Sequence, residues 1–380
     1  MKIAIMTQPL GHNYGGILQN YALTRILEQK GANVTTIDRV RASRPKHLKA
    51  LSFIKNQTYN RVKGCYYYLP SANYLKFIYA ENHDFIDKCL SLSQEIDNSK
   101  ELKAYFLNED FDTVIVGSDQ TWRPKYSPCI TNYFLDFLSD NSKVKKFAYA
   151  SSFGTSEWEF DEKQTKQCKK LIAKFDAISV RENAGIQLCR KYLGTEAQLV
   201  LDPTLLLEKQ DYIDLIKNKL GSLESSTQGV FNYILDDNED KVEVVNQVSN
   251  YLDISSFRKQ PNKKLPITNK KDLLDYKYPA IEEWLNSFYT ADFVITDSFH
   301  GTVLSIVFEK PFITIVNKDR GSARFESLLS LLGLEDRMFY DVANIDMSIV
   351  EDSIDYNAIK LKLEPLQKLS FNFLDSIFEK

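Results

Sequence analysis

The sequence predicts an α/β protein made of two doubly wound, Rossmann-like lobes that face each other across a cleft. Three observations carry this. KIAIMT, a glycine-containing loop, the amphipathic stretch ILQNYALTRILEQ and VTTID form a βαβ opening of about 38 residues. Short apolar runs then keep alternating with helical stretches as far as QLVLD (198–202). A polar stretch, LGSLESSTQG (220–229), interrupts the pattern, and a second alternation starts at GVFNYIL. The expected organisation is a first lobe over 1–205, a linker region over 206–228, a second lobe over 229–345 and an amphipathic helical tail over 346–380.

Each element has a local reason. Gly31 stops the first helix before VTTID. A helical insert follows at about 40–108, with helices expected near 73–89 and 98–108. FDTVIVG and KKFAYA read as buried strands, 161–173 as a polar helix, DAISV as a strand, and ENAGIQLCRKYLG as a helix. Pro203 ends QLVLD. In the second lobe a helix is expected near 239–251. FVITD is then a strand, GTVLSIVFEK a helix stopped by Pro311, FITIV a strand and SARFESLLSLLG a helix.

Bulk composition narrows the function. Of 380 residues, 43% are hydrophobic and 26% charged, and the net charge is −3, so no polyelectrolyte role for the whole chain follows. Five widely spaced cysteines without a CxxC pair argue against a disulfide framework or a structural zinc, and fit a reducing compartment. No signal peptide and no apolar run approaching a membrane span is read, so a cytoplasmic protein is expected. Residues 39–80 hold nine Lys or Arg and no acid. The plain reading is a solvated basic face. The sharper one is peripheral contact with an anionic membrane or a phosphate-linked glycan. Nucleic acid is not expected, since no nucleic-acid motif accompanies this stretch.

In such sheets ligands bind beyond the carboxyl ends of the strands, so the loops there are the ones to read. The turn SFHG opens a helix directly after FVITD. Helix N-termini attract phosphate, Gly301 permits close backbone approach, Ser298 caps or binds, and His300 adds a donor that titrates near neutrality. His300 is one of only four histidines. The plain alternative is a histidine that only packs in the turn. VNKDRGSARF puts Lys318, Arg320 and Arg324 beyond the next strand, suited to a second oxyanion contact. SVREN puts Arg181 at a strand end, either as an anion ligand or paired with Glu182 to orient the next helix. Asn13 in GHNYGG, and Asp119, Gln120 and Trp122 in VGSDQTW, suit a sugar: hydroxyls on the polar groups, a ring face on the indole. The same residues also suit a tight turn.

With NYGGILQNYAL, VIVGSDQTW, AYASSFG, SVREN, LDPTLLL and TDSFHGTVLSIVFEKPFI in this order, the chain resembles the polysaccharide pyruvyl transferases over roughly residues 3–335. The resemblance implies two lobes arranged as in GT-B glycosyltransferases. It implies transfer of pyruvate from phosphoenolpyruvate to two hydroxyls of a sugar or lipid-linked glycan precursor, giving a cyclic ketal, with no cofactor and no metal. Arg181 and His300 match the family's phosphoenolpyruvate-holding positions. Ser298 stands where many members have Arg, so that contact is either missing or supplied by Lys318, Arg320 or Arg324. His300 is the expected proton shuttle, Asp119 a candidate base or acceptor contact, and Asn13, Gln120 and Trp122 candidate acceptor contacts. A nucleotide-sugar glycosyltransferase and a non-catalytic glycan-binding relative stay open as alternatives.

Overall fold

The computed structural model describes residues 1–42, 72–223, 229–316 and 321–379. In the first lobe, β1 (Lys2–Met6), α1 (Tyr14–Gln29) and β2 (Asn33–Thr36) form the opening unit. Helices α2 (Ala72–Ile78), α3 (Ala80–Cys89) and α4 (Ser99–Asn108) follow. Then come β3 (Thr113–Asp119), β4 (Lys145–Ser151), α5 (Glu162–Ile172), β5 (Ala177–Val180), α6 (Asn183–Leu188) and β6 (Gln198–Leu199). All six strands are parallel, in the order β2-β1-β3-β4-β5-β6.

The stretch expected as linker holds α7 (Lys209–Leu220), whose Tyr212 and Ile216 are buried. Its spaced lysines and acids hid that short apolar face. The second lobe runs β7 (Val230–Tyr233), α8 (Glu239–Leu252), β8 (Ser256–Phe257), α9 (Ile281–Thr290), β9 (Phe293–Thr296), α10 (Phe299–Val307), β10 (Phe312–Ile315), α11 (Ala323–Leu332) and β11 (Met338–Phe339). Its sheet is also parallel, in the order β11-β10-β9-β7-β8.

Strand order reverses between β1 and β3 in one sheet and between β7 and β9 in the other. At such switch points the flanking helices leave on opposite faces, which opens a crevice at the strands' carboxyl ends. The loops after β1, β3 and β9 belong to these crevices. They carry the NYGG, GSDQ and SFHG segments.

The tail helix α12 (Tyr356–Ser376) straps the lobes together. Tyr356 Oη donates to the Lys310 carbonyl at 2.5 Å, in the second lobe. Fourteen residues on, Ser370 Oγ accepts from Leu201 N at 2.9 Å, and the Phe373 ring packs 5.9 Å from that of Tyr149, both in the first lobe. Tyr14 adds a second bridge, stacking on Trp284 at 5.0 Å and donating its hydroxyl to the Pro279 carbonyl at 2.6 Å. Among the described residues, no helix is long and apolar enough to cross a membrane.

Candidate active site between the lobes

Three strand ends of the first lobe deliver charge to one point. Asp119 closes β3 with φ of 74°, a left-handed conformation that aspartate tolerates better than most residues. Arg181 follows β5, and Asp202 follows β6. Arg181 Nη2 donates to Asp119 Oδ1 at 2.8 Å, and Nη1 to Asp202 Oδ2 at 2.5 Å. All three side chains are buried. The guanidinium lies 4.9 Å from the centre of the Phe299 ring, which comes from the second lobe.

The carboxylates are held ionised. Burial alone raises Asp202, but the neighbouring His300 and Arg181 and the hydrogen bond from Thr204 outweigh it, holding the carboxyl well below its usual range. Asp119 is also lowered: the charges of Arg181, His300 and Arg324 overcome the cost of burial. Glu182 behaves in the opposite way. Burial raises it despite N–H bonds from Phe153 (2.7 Å) and Gly154 (3.2 Å), with which it anchors the AYASSFG loop. An Arg181–Glu182 pair was one of two readings of SVREN; the fold turns Glu182 to that loop and gives Arg181 to two aspartates.

From the second lobe comes His300, 5% exposed, its Nε2 3.7 Å from Asp202 Oδ2. That spacing is electrostatic contact rather than a hydrogen bond. The ring packs on Gly15 at the start of α1: a Cβ there would lie 2.1 Å from His300 Nδ1. This explains one glycine of NYGG, whose absent side chain makes room for a ring from the other lobe. Gly321, with φ of +96°, plays a similar part, since its Cβ would lie 1.7 Å from the Gly154 carbonyl oxygen.

The remaining expected residues divide. Ser298 is the N-cap of α10, its Oγ accepting from Gly301 N at 3.4 Å. Ser298→Ala is therefore expected to cost about 1 kcal/mol in urea unfolding. An unchanged unfolding midpoint would show that the cap contributes nothing. Arg324, in α11, is buried, with its guanidinium 5.3 Å from the Phe299 ring. Burial, then repulsion from Arg181, pulls it down to about 10. It joins the cluster, as expected of the VNKDRGSARF segment. Lys318 and Arg320 lie outside the described residues.

Asn13 is exposed at the N-cap of α1 and makes no side-chain cap bond. Gln120 is half-buried, and its Oε1 accepts from Arg123 Nη1 at 3.2 Å. Trp122 is corrected. It is 0% exposed, donates Nε1–H to the Tyr133 carbonyl at 3.0 Å and stacks on Phe134 at 5.2 Å, so no ring face is left for a sugar. The basic segment changes too. Arg39 is buried and donates to Asn132 Oδ1, and Arg41 donates to the carbonyls of Lys125 and Tyr126. Arg44, Lys46, Lys49, Lys55, Arg61 and Lys63 lie outside the described residues.

Two residues of the cluster carried no assigned role in the sequence: Asp202 and Phe299. The acid before a strand-ending proline was the available signal for Asp202. For Phe299 there was none, because an aromatic in an apolar helix reads as core. A surface depression lined by Ala177, Glu196 and Phe373 lies at the amino ends of β5 and β6, opposite this cluster.

Two parallel-sheet lobes with a buried charged cluster between their switch points define a two-lobed, doubly wound α/β protein. The family model for polysaccharide pyruvyl transferase matches residues 13–319, and the chain belongs to that family. No curated protein matches it in sequence. Among solved structures, it is similar to a UDP-GlcNAc 2-epimerase from Methanocaldococcus jannaschii, with 14% identity, TM-score 0.49, and 96% of this chain and 93% of that one covered. It is also similar to MurG from Acinetobacter baumannii, with 9% identity, TM-score 0.43 and coverage of 97% and 93%. An O-GlcNAc transferase mutant from Thermobaculum terrenum gives 10% identity and TM-score 0.45; the match takes in 97% of this chain but spans only 64% of that one.

Proposed function

We propose that the protein transfers pyruvate from phosphoenolpyruvate to two hydroxyls of a sugar in a polysaccharide or glycan precursor, closing a ketal. The observation that carries this reading is the meeting of Arg181 and His300 between the lobes. Both are buried, and among the described residues Arg181 Nε has no hydrogen-bond partner. A buried polar nitrogen without a partner is costly, and an anionic substrate relieves that cost.

Phosphoenolpyruvate carries a phosphate and a carboxylate, which suit the Arg181 and Arg324 guanidiniums and the start of α10. In this reading His300 protonates the methylene carbon. The neighbouring carbon becomes oxocarbenium-like and takes a sugar hydroxyl oxygen, phosphate departs, and the second hydroxyl closes the ring. Positioned acid–base help of this kind is worth roughly 10²–10⁴-fold. Asp119, ionised beside Arg181, is the candidate acceptor contact or base. His300 is buried against Gly15, so the lobes must part to admit substrates and close again for chemistry.

The test is thermal unfolding of the wild type and of His300→Ala, with and without millimolar phosphoenolpyruvate. Wild type is expected to gain about 2.7 kcal/mol at a hundredfold excess over Kd. The variant should lose most of that gain. Stabilisation by UDP with none by phosphoenolpyruvate would overturn the reading in favour of a nucleotide-sugar donor.

A further inference from the structure

We propose that Asp202 is a positioning residue: it fixes a proton of His300 on Nε2 and so makes Nδ1 the nitrogen that exchanges protons with substrate. The proposal rests on the reading of His300 as the proton-transfer group.

Asp202 is well placed to do this because its own geometry is fully determined. Its Oδ1 accepts from Thr204 N at 3.1 Å and from Thr204 Oγ1 at 2.7 Å. Its Oδ2 accepts from Arg181 Nη1 at 2.5 Å and from Ser118 Oγ at 3.3 Å. A carboxylate held by four donors neither rotates nor takes up a proton readily. The same Oδ2 is 3.7 Å from His300 Nε2, a buried nitrogen with no hydrogen-bond partner among the described residues. An imidazole facing a fixed negative charge keeps its N–H on that side, and the hydrogen-bonding state of one ring nitrogen sets that of the other.

The opposite nitrogen faces α1. Nδ1 lies so close to Gly15 that even a methyl group there would overlap it. Beside Gly15 begins the loop that carries the exposed Asn13. Nδ1 is therefore the ring nitrogen turned towards the glycine-rich loop of the first lobe, away from the Asp202 carboxylate.

The proton balance closes on this arrangement. In the imidazolium, Nε2–H points to Asp202 and the Nδ1 proton leaves for the donor's methylene carbon. The electron pair of the carbon–carbon double bond forms the new C–H bond. The attacking hydroxyl bonds through oxygen to the neighbouring carbon, and its proton restores Nδ1–H. Phosphate then leaves with the carbon–oxygen electron pair, and the second hydroxyl bonds to the same carbon as its proton passes to the departing phosphate. Asp202 remains ionised throughout.

The experiment is ¹⁵N NMR of the histidine ring nitrogens in the full chain, with His300 assigned by loss of its signals in His300→Gln. In its neutral form the wild-type His300 ring is expected to be the Nε2–H tautomer. In Asp202→Asn the fixed negative charge beside Nε2 is gone, so the ring should lose its preference for Nε2–H. Phosphate release from phosphoenolpyruvate should then fall about 10²-fold or more in kcat, with KM little changed. A wild-type ring protonated on Nδ1, or a variant that keeps both its tautomer and its kcat, overturns the proposal. If Asp202→Asn does not fold, the wild-type tautomer alone decides. The ring spectrum needs no substrate, so a wild type that releases no phosphate refutes the reaction while the tautomer still judges Asp202.

Discussion

Replacing Arg181 with methionine is expected to cost about 3–5 kcal/mol of folding stability. The reason is what remains rather than what is removed. Asp119 and Asp202 are buried, and Arg181 donates to both at 2.8 and 2.5 Å. Without the guanidinium, two carboxylates share a dry site with no bonded cation between them.

The sign of the pH dependence follows. In the wild type both carboxyls are held below their usual range. Their contribution is complete above the ordinary carboxylate pKa of about 4 and fades only as pH falls below it. In the methionine variant burial raises both groups, so the folded state takes up protons that the unfolded state does not. The penalty should therefore be larger at pH 8 than at pH 5. Urea unfolding of both proteins at the two pH values measures it. A penalty below about 1 kcal/mol, or one independent of pH, would refute the account of a charge-compensated cluster.

On the proton-transfer role proposed for His300, Gly15→Ala is expected to lower turnover by about 10²-fold while leaving the fold intact, because a displacement near 1 Å at a reacting group costs that much. Alanine is a better helix former than glycine by about 1 kcal/mol, so α1 itself gains. The new methyl meets His300 across the interface, where a Cβ would lie 2.1 Å from Nδ1. The lobes then close on a displaced imidazole. The check is a double-mutant cycle on unfolding stability. His300→Ala in the Gly15→Ala background should restore stability relative to the sum of the single changes, since the clash is gone. Strict additivity, or wild-type kcat in Gly15→Ala, would show that the two residues do not meet in the working enzyme.

Much of the fold was legible in the chain. Strand-sized apolar runs alternating with amphipathic helices require parallel sheets, and KIAIMT, FDTVIVG, FVITD and FITIV all became strands. Two helices were missed: Lys209–Leu220, where Tyr212 and Ile216 are the buried contacts of an otherwise polar helix, and Ile281–Thr290. The site was legible in part. A turn just after a strand, opening a helix, drew attention to Ser298, His300 and Gly301, and the strand-end position of Arg181 marked it as well.

Which partner each residue meets was not written locally. SVREN sets Arg181 beside Glu182, yet the fold gives Arg181 to Asp119 and Asp202, 62 and 21 residues away. VGSDQTW groups Asp119 with Trp122, yet Asp119 enters the cluster and Trp122 the core. Strand alternation explains such splits, because neighbours in sequence leave a sheet end in different directions. The sequence by itself determined two doubly wound lobes and the strand-end turns that face the cleft. Only the tertiary structure decided that Gly15 makes room for His300 and that Asp202 joins Arg181 to it. Gly15 and His300 lie 285 positions apart and Asp202 and His300 lie 98 apart, and only the docking of two sheets end to end brings them within reach.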